Sequence, residues 1–166
     1  MIRRVLKKGK YVTTREGPTV IKLSKKIQRG LKPLSKRIEI AGSIRRKIKN
    51  PVDIDFVLIP KDKQKIITYL KKKGRYLQGG EKRIAFKIEG IKVEVYYADS
   101  NNWGAMIMTY TGPAGYNIGL RTVAKKKGLL LNQYGLFKNK KHIAGKTERS
   151  IYIALGKKYK IPKLRS

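Results

Sequence analysis

The sequence predicts an α+β protein: a mixed sheet with helices over residues 1–100, then a smaller α/β lobe over 101–166. Three observations carry that expectation. Val20, Leu23, Ile27 and Leu31 recur at the spacing of one helical face. Val52, Ile54, Phe56, Val57, Leu58 and Ile59 form a strand-like apolar run, and two alternating stretches follow at 83–88 and 92–97. After Asp99-Ser100-Asn101-Asn102 the pattern turns to two helices and short strands, which places a boundary near residue 100.

Residues 1–15 are basic and weakly patterned, as in a strand or hairpin. Gly17-Pro18 opens the first helix, where proline suits the first turn, and Pro33 ends it. Arg37 to Ala41 alternates as a short strand into Gly42-Ser43, and Ser43 can cap a helical turn that carries Arg45 and Arg46. The Asp53 strand follows, then a helix from about Asp62 to Lys73. Strands at Arg83 to Ile88 and Lys92 to Tyr97 meet in a tight hairpin at Glu89-Gly90. Trp103 to Tyr110 and Pro113 to Lys127 read as helices separated by Thr111-Gly112-Pro113. Short strands around 129–131 and 133–137 precede a last helix with Thr147 as N-cap and Gly156 as its stop. His142 reads as a surface residue in a basic turn, and Trp103 as a packing anchor.

At 166 residues the chain can bury a real core. There is no cysteine, which excludes disulfides, thiolate metal sites and cysteine nucleophiles. No apolar run reaches membrane-spanning length and no secretory segment follows the basic start, so an intracellular monomer without a signal peptide is expected. Forty-two Lys and Arg against ten Asp and Glu give a formal charge of +32, spread through every segment. Such a field attracts a polyanion with little sequence preference, and nucleic acid is the expected partner rather than a membrane.

The chemistry concentrates in residues 41–60, AGSIRRKIKNPVDIDFVLIP. Alternation on a strand sends Asp53 and Asp55 to one face, roughly 7 Å apart, where they repel each other unless cations intervene. An all-oxygen donor set suits Mg²⁺, and a site with two such ions serves phosphoryl or nucleotidyl transfer. Mn²⁺ is a possible substitute. Such a site needs a third carboxylate, and Glu94 in Lys92-Val93-Glu94-Val95-Tyr96 is the candidate, with Glu89 and Asp99 behind it. Gly42, Ser43 and Arg46 would meet phosphate, through backbone N–H groups and an arginine fork.

With GSIRR and DID (42–46, 53–55), YTGPAGYNIGLR at 110–121 and LNQYGLFKN at 131–139, the chain resembles the X family of DNA polymerases over about residues 37–166. The resemblance implies a nucleotidyltransferase palm with three carboxylates and a C-terminal lobe that closes over the nascent base pair. It implies a template-directed polymerase that adds dNTPs to a primer 3′-hydroxyl, filling short gaps during repair. It implies that Tyr110, Thr111 and Gly112 lie beside the nucleotide sugar and help exclude a 2′-hydroxyl. Asn117 would contact the base in the minor groove, Arg121 the template strand, and Asn132, Gln133 and Tyr134 would line the closed site. Glu94 stands where the family generally has aspartate, and Lys92 where it usually has arginine. Larger members carry an N-terminal domain that removes a sugar phosphate; the residues ahead of the Gly-Ser turn are too few for one, so no lyase activity is expected. Two other readings stay open on residues alone: a nucleotidyltransferase that acts on RNA or without a template, and a non-catalytic basic nucleic-acid-binding protein.

Overall fold

A computed structural model describes residues 1–166, which form two compact units, Met1–Tyr97 and Ala98–Ser166. The first unit begins with a hairpin, β1 (Arg3–Lys7) and β2 (Lys10–Thr14), joined by Lys8 and Gly9 in the left-handed region. Helix α1 (Gly17–Leu31) has Pro18 in its first turn and buries Val20, Leu23, Ile27 and Leu31. The chain leaves the helix through a short 3₁₀ turn at Lys32–Leu34, so Leu31 rather than Pro33 marks its end.

A five-stranded sheet follows, with strands β3 (Ser35–Ile40), β4 (Ile54–Pro60), β5 (Arg75–Gly79), β6 (Arg83–Ile88) and β7 (Ile91–Tyr97) in the order β3-β4-β7-β6-β5. The pair β4–β7 is parallel and every other pair antiparallel, so the sheet is mixed. Alternation divides its two faces. Ile54, Phe56 and Leu58 join Val93, Val95 and Tyr97 in one core with α1 and with Ile66 and Leu70 of α3 (Lys63–Lys71). Each such side chain contributes roughly 1.5–3 kcal/mol on burial. The intervening positions, Asp55, Lys92, Glu94 and Tyr96, are thereby assigned to the opposite face. Asp62 caps α3, its Oδ1 accepting from Gln64 N at 2.8 Å.

Strand β5 was not expected from the sequence. Its RYLQG run is almost wholly solvent-facing and shifts register between Tyr76 and Gln78, so a pattern of burial never develops at this edge. Glu89 and Gly90 form the β6–β7 turn with φ of 49° and 79°.

The second unit contains α4 (Trp103–Thr111), α5 (Ala114–Lys126), a three-stranded antiparallel sheet and α6 (Glu148–Ala154). The sheet is β8 (Leu130–Asn132), β9 (Gly135–Lys138) and β10 (Lys141–Ala144), with β9 central. Helix α4 buries every residue from Trp103 to Met108, and a Cβ at Gly104 would collide with the Thr147 backbone. Around it pack Leu120, Ala124, Leu131, Leu136, Ile151, Tyr152 and Leu155. Thr147 caps α6, its Oγ1 accepting from Ser150 N at 3.0 Å. His142 belongs to strand β10 rather than to a turn, and its ring meets Phe137 edge-on with centroids 5.3 Å apart. A four-residue strand with three exposed positions in a row has no alternation to betray it. No helix is long and apolar enough to cross a membrane.

Candidate active site

The parallel pairing of β4 with β7 sets the centre of the site in the first unit: Asp55 and Glu94 are direct register partners. Asp53 lies just ahead of the first residue of β4, so it is held by the chain entering the strand and not by the strand itself. All three carboxylates still interact. Burial raises Asp55 first, and repulsion from Asp53 and then Glu94 adds to it, so its carboxyl is pushed up to about 7.

Cations and hydrogen-bond donors surround the three acids. Lys7, from the hairpin, pairs with Asp53 Oδ2. Glu94, only 7% exposed, has both oxygens engaged: Oε1 by Lys92 Nζ at 2.8 Å, Oε2 by Arg83 Nη1 at 2.7 Å and by the Tyr96 hydroxyl at 2.9 Å. Burial pushes Glu94 up, but Lys92, Tyr96 and Arg83 together outweigh it and hold the carboxyl below its usual range. Its strand is central rather than at an edge, so Glu94 is not a solvated edge residue.

Gly42 opens the short helix α2 (Gly42–Arg45) with φ of 59°, and a Cβ there would strike Asp55 Oδ2. Only glycine meets both conditions. Ser43 does not cap this helix; Ala41 holds the cap position, and Ser43 Oγ is buried with no hydrogen-bond partner. Burial lowers the pKa of Arg46, and attraction to Asp55 and then Asp53 opposes that drop, so its guanidinium faces the acid pair.

An all-oxygen donor set at which carboxylates repel and ammonium and guanidinium groups gather fits a hard divalent ion. In this arrangement, however, no three acidic or imidazole side chains converge closely enough to hold one ion. Asp53 and Glu94 are each drawn toward protein cations instead.

The remaining predicted residues lie in the second unit. Tyr110, Thr111 and Gly112 form the end of α4, with Thr111 and Gly112 buried, before the cis Gly112-Pro113 bond. Asn117 of α5 is buried; its Nδ2 donates to Thr109 O at 2.8 Å, and its Oδ1 has no partner. Arg121 is exposed one turn further along α5. Asn132 Oδ1 accepts from Tyr134 N at 2.8 Å, so Asn132 shapes the β8–β9 turn that presents Gln133 and Tyr134.

Sequence reasoning missed Lys7, Arg83 and Tyr96. Tyr96 was legible, since i, i+2 alternation places it on the face of Glu94. Arg83 required the β6–β7 register, and Lys7 required knowledge of where the hairpin folds.

The fold is that of a nucleotidyltransferase, and comparison with known proteins narrows it. Residues 106–166 match the family model described as DNA polymerase beta thumb. The chain is 36% identical over 149 residues to Repair DNA polymerase X of African swine fever virus isolate Pig/Kenya/KEN-50/1950, covering 81% of this chain and 84% of that protein. It is 35% identical over 147 residues to the protein of the same name from isolate Tick/Malawi/Lil 20-1/1983, with the same coverage. Among solved structures, Leishmania infantum polymerase beta in a ternary P/T complex superimposes with a TM-score of 0.79 at 17% identity, over 92% of this chain and 76% of that one. The chain belongs to the X family of DNA polymerases and is a DNA-directed DNA polymerase of the repair type. Membership carries a general requirement for a divalent metal ion.

Proposed function

We propose that this polymerase fills short gaps in DNA by template-directed, two-metal nucleotidyl transfer, with residues 1–100 as a catalytic palm and 101–166 as a lobe that binds nucleotide and template. The observation that carries the reading is the pairing of Asp55 with Glu94 beside Asp53, on the sheet face opposite the core that α1 and α3 cover. Asp53, Asp55 and Glu94 would hold two Mg²⁺ ions, which supply Lewis acidity to the 3′-hydroxyl and to the phosphates.

The chain's own residues do the rest. Ser43 Oγ, buried without a partner, offers a hydrogen bond to a phosphate oxygen, and Arg46 offers a planar fork for the triphosphate. In-line attack on the α-phosphorus then expels pyrophosphate, and catalysis is mainly positioning and charge stabilisation. Asn117 keeps one amide oxygen free for a base, while its Nδ2 is fixed by Thr109. Tyr110, Thr111 and Gly112 restrict the sugar, and Arg121, Asn132 and Tyr134 meet DNA. DNA is held by the distributed positive charge, and the viral relatives carrying the name Repair DNA polymerase X support repair as the setting.

The test is incorporation on a one-nucleotide gap, each template base against each dNTP and rNTP. Asp53→Asn and Asp55→Asn should abolish synthesis while leaving DNA affinity unchanged, and the wild type should follow the template and prefer dNTPs. Undiminished synthesis by either variant, or template-blind addition, refutes the reading.

A further inference from the structure

The contact between Lys7 and Asp53 reaches across the first unit, from a hairpin at the start of the chain to the acid that precedes β4. It is not a loose encounter. Thr14 at the other end of β2 donates to Val52 O, the residue before Asp53. Lys87 Nζ donates to Thr13 O at 3.0 Å, and Arg15 Nε donates to Glu89 O at 2.5 Å. The hairpin is thus hydrogen-bonded to the loop entering β4 and to the strands around β7. One of its faces carries Val5, Lys7, Val12 and Thr14, all partly or fully buried.

The charges explain why an ammonium sits there. Asp53, Asp55 and Glu94 share one face, and Asp55 is raised by the other two. Glu94 is neutralised by Arg83 and Lys92, and Arg46 faces Asp55 and Asp53. Arg46 at the end of α2 and Lys87 of β6 also act on Asp53, and Lys7 pairs with it directly from the hairpin, on a flexible four-carbon stem. An ammonium and a divalent ion compete for the same carboxylate oxygen. The lysine can withdraw without disturbing the sheet, because no backbone hydrogen bond depends on its side chain.

We propose that Lys7 is a positioning residue of the catalytic centre: a tethered cation that holds Asp53 in the metal-free enzyme and gives it up to the divalent ion. Binding of the ion frees the ammonium and loosens the hairpin tip, so metal occupancy is transmitted to residues 3–14. The inference rests on the reading of Asp53 as a metal ligand.

The experiment measures Mn²⁺ affinity of the full chain by titration with electron paramagnetic resonance, without DNA or nucleotide. Wild type is compared with Lys7→Met, Lys7→Gln, Lys8→Met and Asp53→Asn. Both Lys7 variants should bind Mn²⁺ about fivefold more tightly, the size of one partly exposed ion pair. Lys8→Met removes the same charge from the same turn and should change affinity by less than twofold. Hydrogen exchange supplies a readout that simple charge removal does not move: Mg²⁺ should speed exchange at the hairpin amides of the wild type and leave Lys7→Met unaffected. Equal affinities in wild type and Lys7 variants, or an equal gain in Lys8→Met, overturn the proposal. If Asp53→Asn binds Mn²⁺ as well as wild type, the metal assignment itself fails, and the proposal fails with it. Loss of binding in Asp53→Asn with no change in the Lys7 variants condemns the lysine alone.

Discussion

Arg165 Nη1 lies 2.7 Å from Glu148 Oε2, and the arginine side chain is fully buried. The guanidinium also stands over the rings of Tyr152 and Tyr159, at 5.8 and 5.6 Å, and its Nε donates to Lys160 O at 2.9 Å. One side chain therefore ties the segment after α6 to α6 itself. Tyr152 extends the chain of contacts to α5 through a 2.6 Å hydroxyl–hydroxyl bond with Tyr116.

Arg165→Ala should consequently destabilise the second unit by about 3 kcal/mol, because it breaks a buried ion pair by removing one of its two charges. The single tryptophan, Trp103, lies in that unit and is buried, so its fluorescence reports the transition. In a double-mutant cycle with Glu148→Ala, the two losses should fall well short of additive. Additive losses would mean that the pair contributes nothing as a pair.

Gly42→Ala tests how tightly the turn is drawn against the acids. The new methyl would strike Asp55 Oδ2, and the backbone would hold a positive φ that alanine resists. A stability loss of about 1–3 kcal/mol is expected from the backbone alone. Incorporation should fall at least tenfold even at temperatures where the variant stays folded. An active, stable alanine variant would show that the turn has room to move.

Stability of the metal-free protein should depend on pH through Asp55. Its carboxyl titrates near 7 when folded, against an ordinary value of 3.8. Between those values the folded state binds the extra proton, so stability falls as pH rises, at no more than about 1.4 kcal/mol per pH unit. Urea midpoints from pH 5 to 8 in a chelator should decline for the wild type. Asp55→Asn should flatten that component and be the more stable protein at pH 8. A parallel profile for both proteins would remove Asp55 as the source.

Affinity for gapped duplex should drop steeply with salt. With a formal charge of +32, a log–log slope of about −4 or steeper is expected, since each neutralised phosphate contributes close to −0.9. A slope near zero would mean that charge is not what holds the duplex.

Much of this was readable beforehand, for definable reasons. The α1 face, the start of α3 near Asp62, the Thr147 cap and the Glu89-Gly90 turn rest on local rules, and local rules are written in adjacent residues. Asp55 and Glu94 were legible as acids misplaced in apolar runs. Strands β5 and β10 were not, since an exposed edge strand is stabilised by its neighbour rather than by its own pattern. Ser43 does not cap as expected, although a serine at a helix start usually does, because the helix begins two residues earlier, with Ala41 in the cap position and Gly42 at positive φ. The cations around Glu94 and Asp53 come from three different elements, and only the folded register brings them together.

The register of β4 against β7 has a consequence for how the gene can change. Asp55 and Glu94 meet because each strand keeps its count from its own fixed end. Deleting one residue inside either strand would bring a valine or isoleucine into the acids' place and turn an acid into the hydrophobic core. The stretch between them contains exposed turns at Lys72–Lys73 and Gly80–Lys82, where added or lost residues shift neither count. Variation in length among descendants of this sequence should therefore accumulate at those turns and spare the two strands.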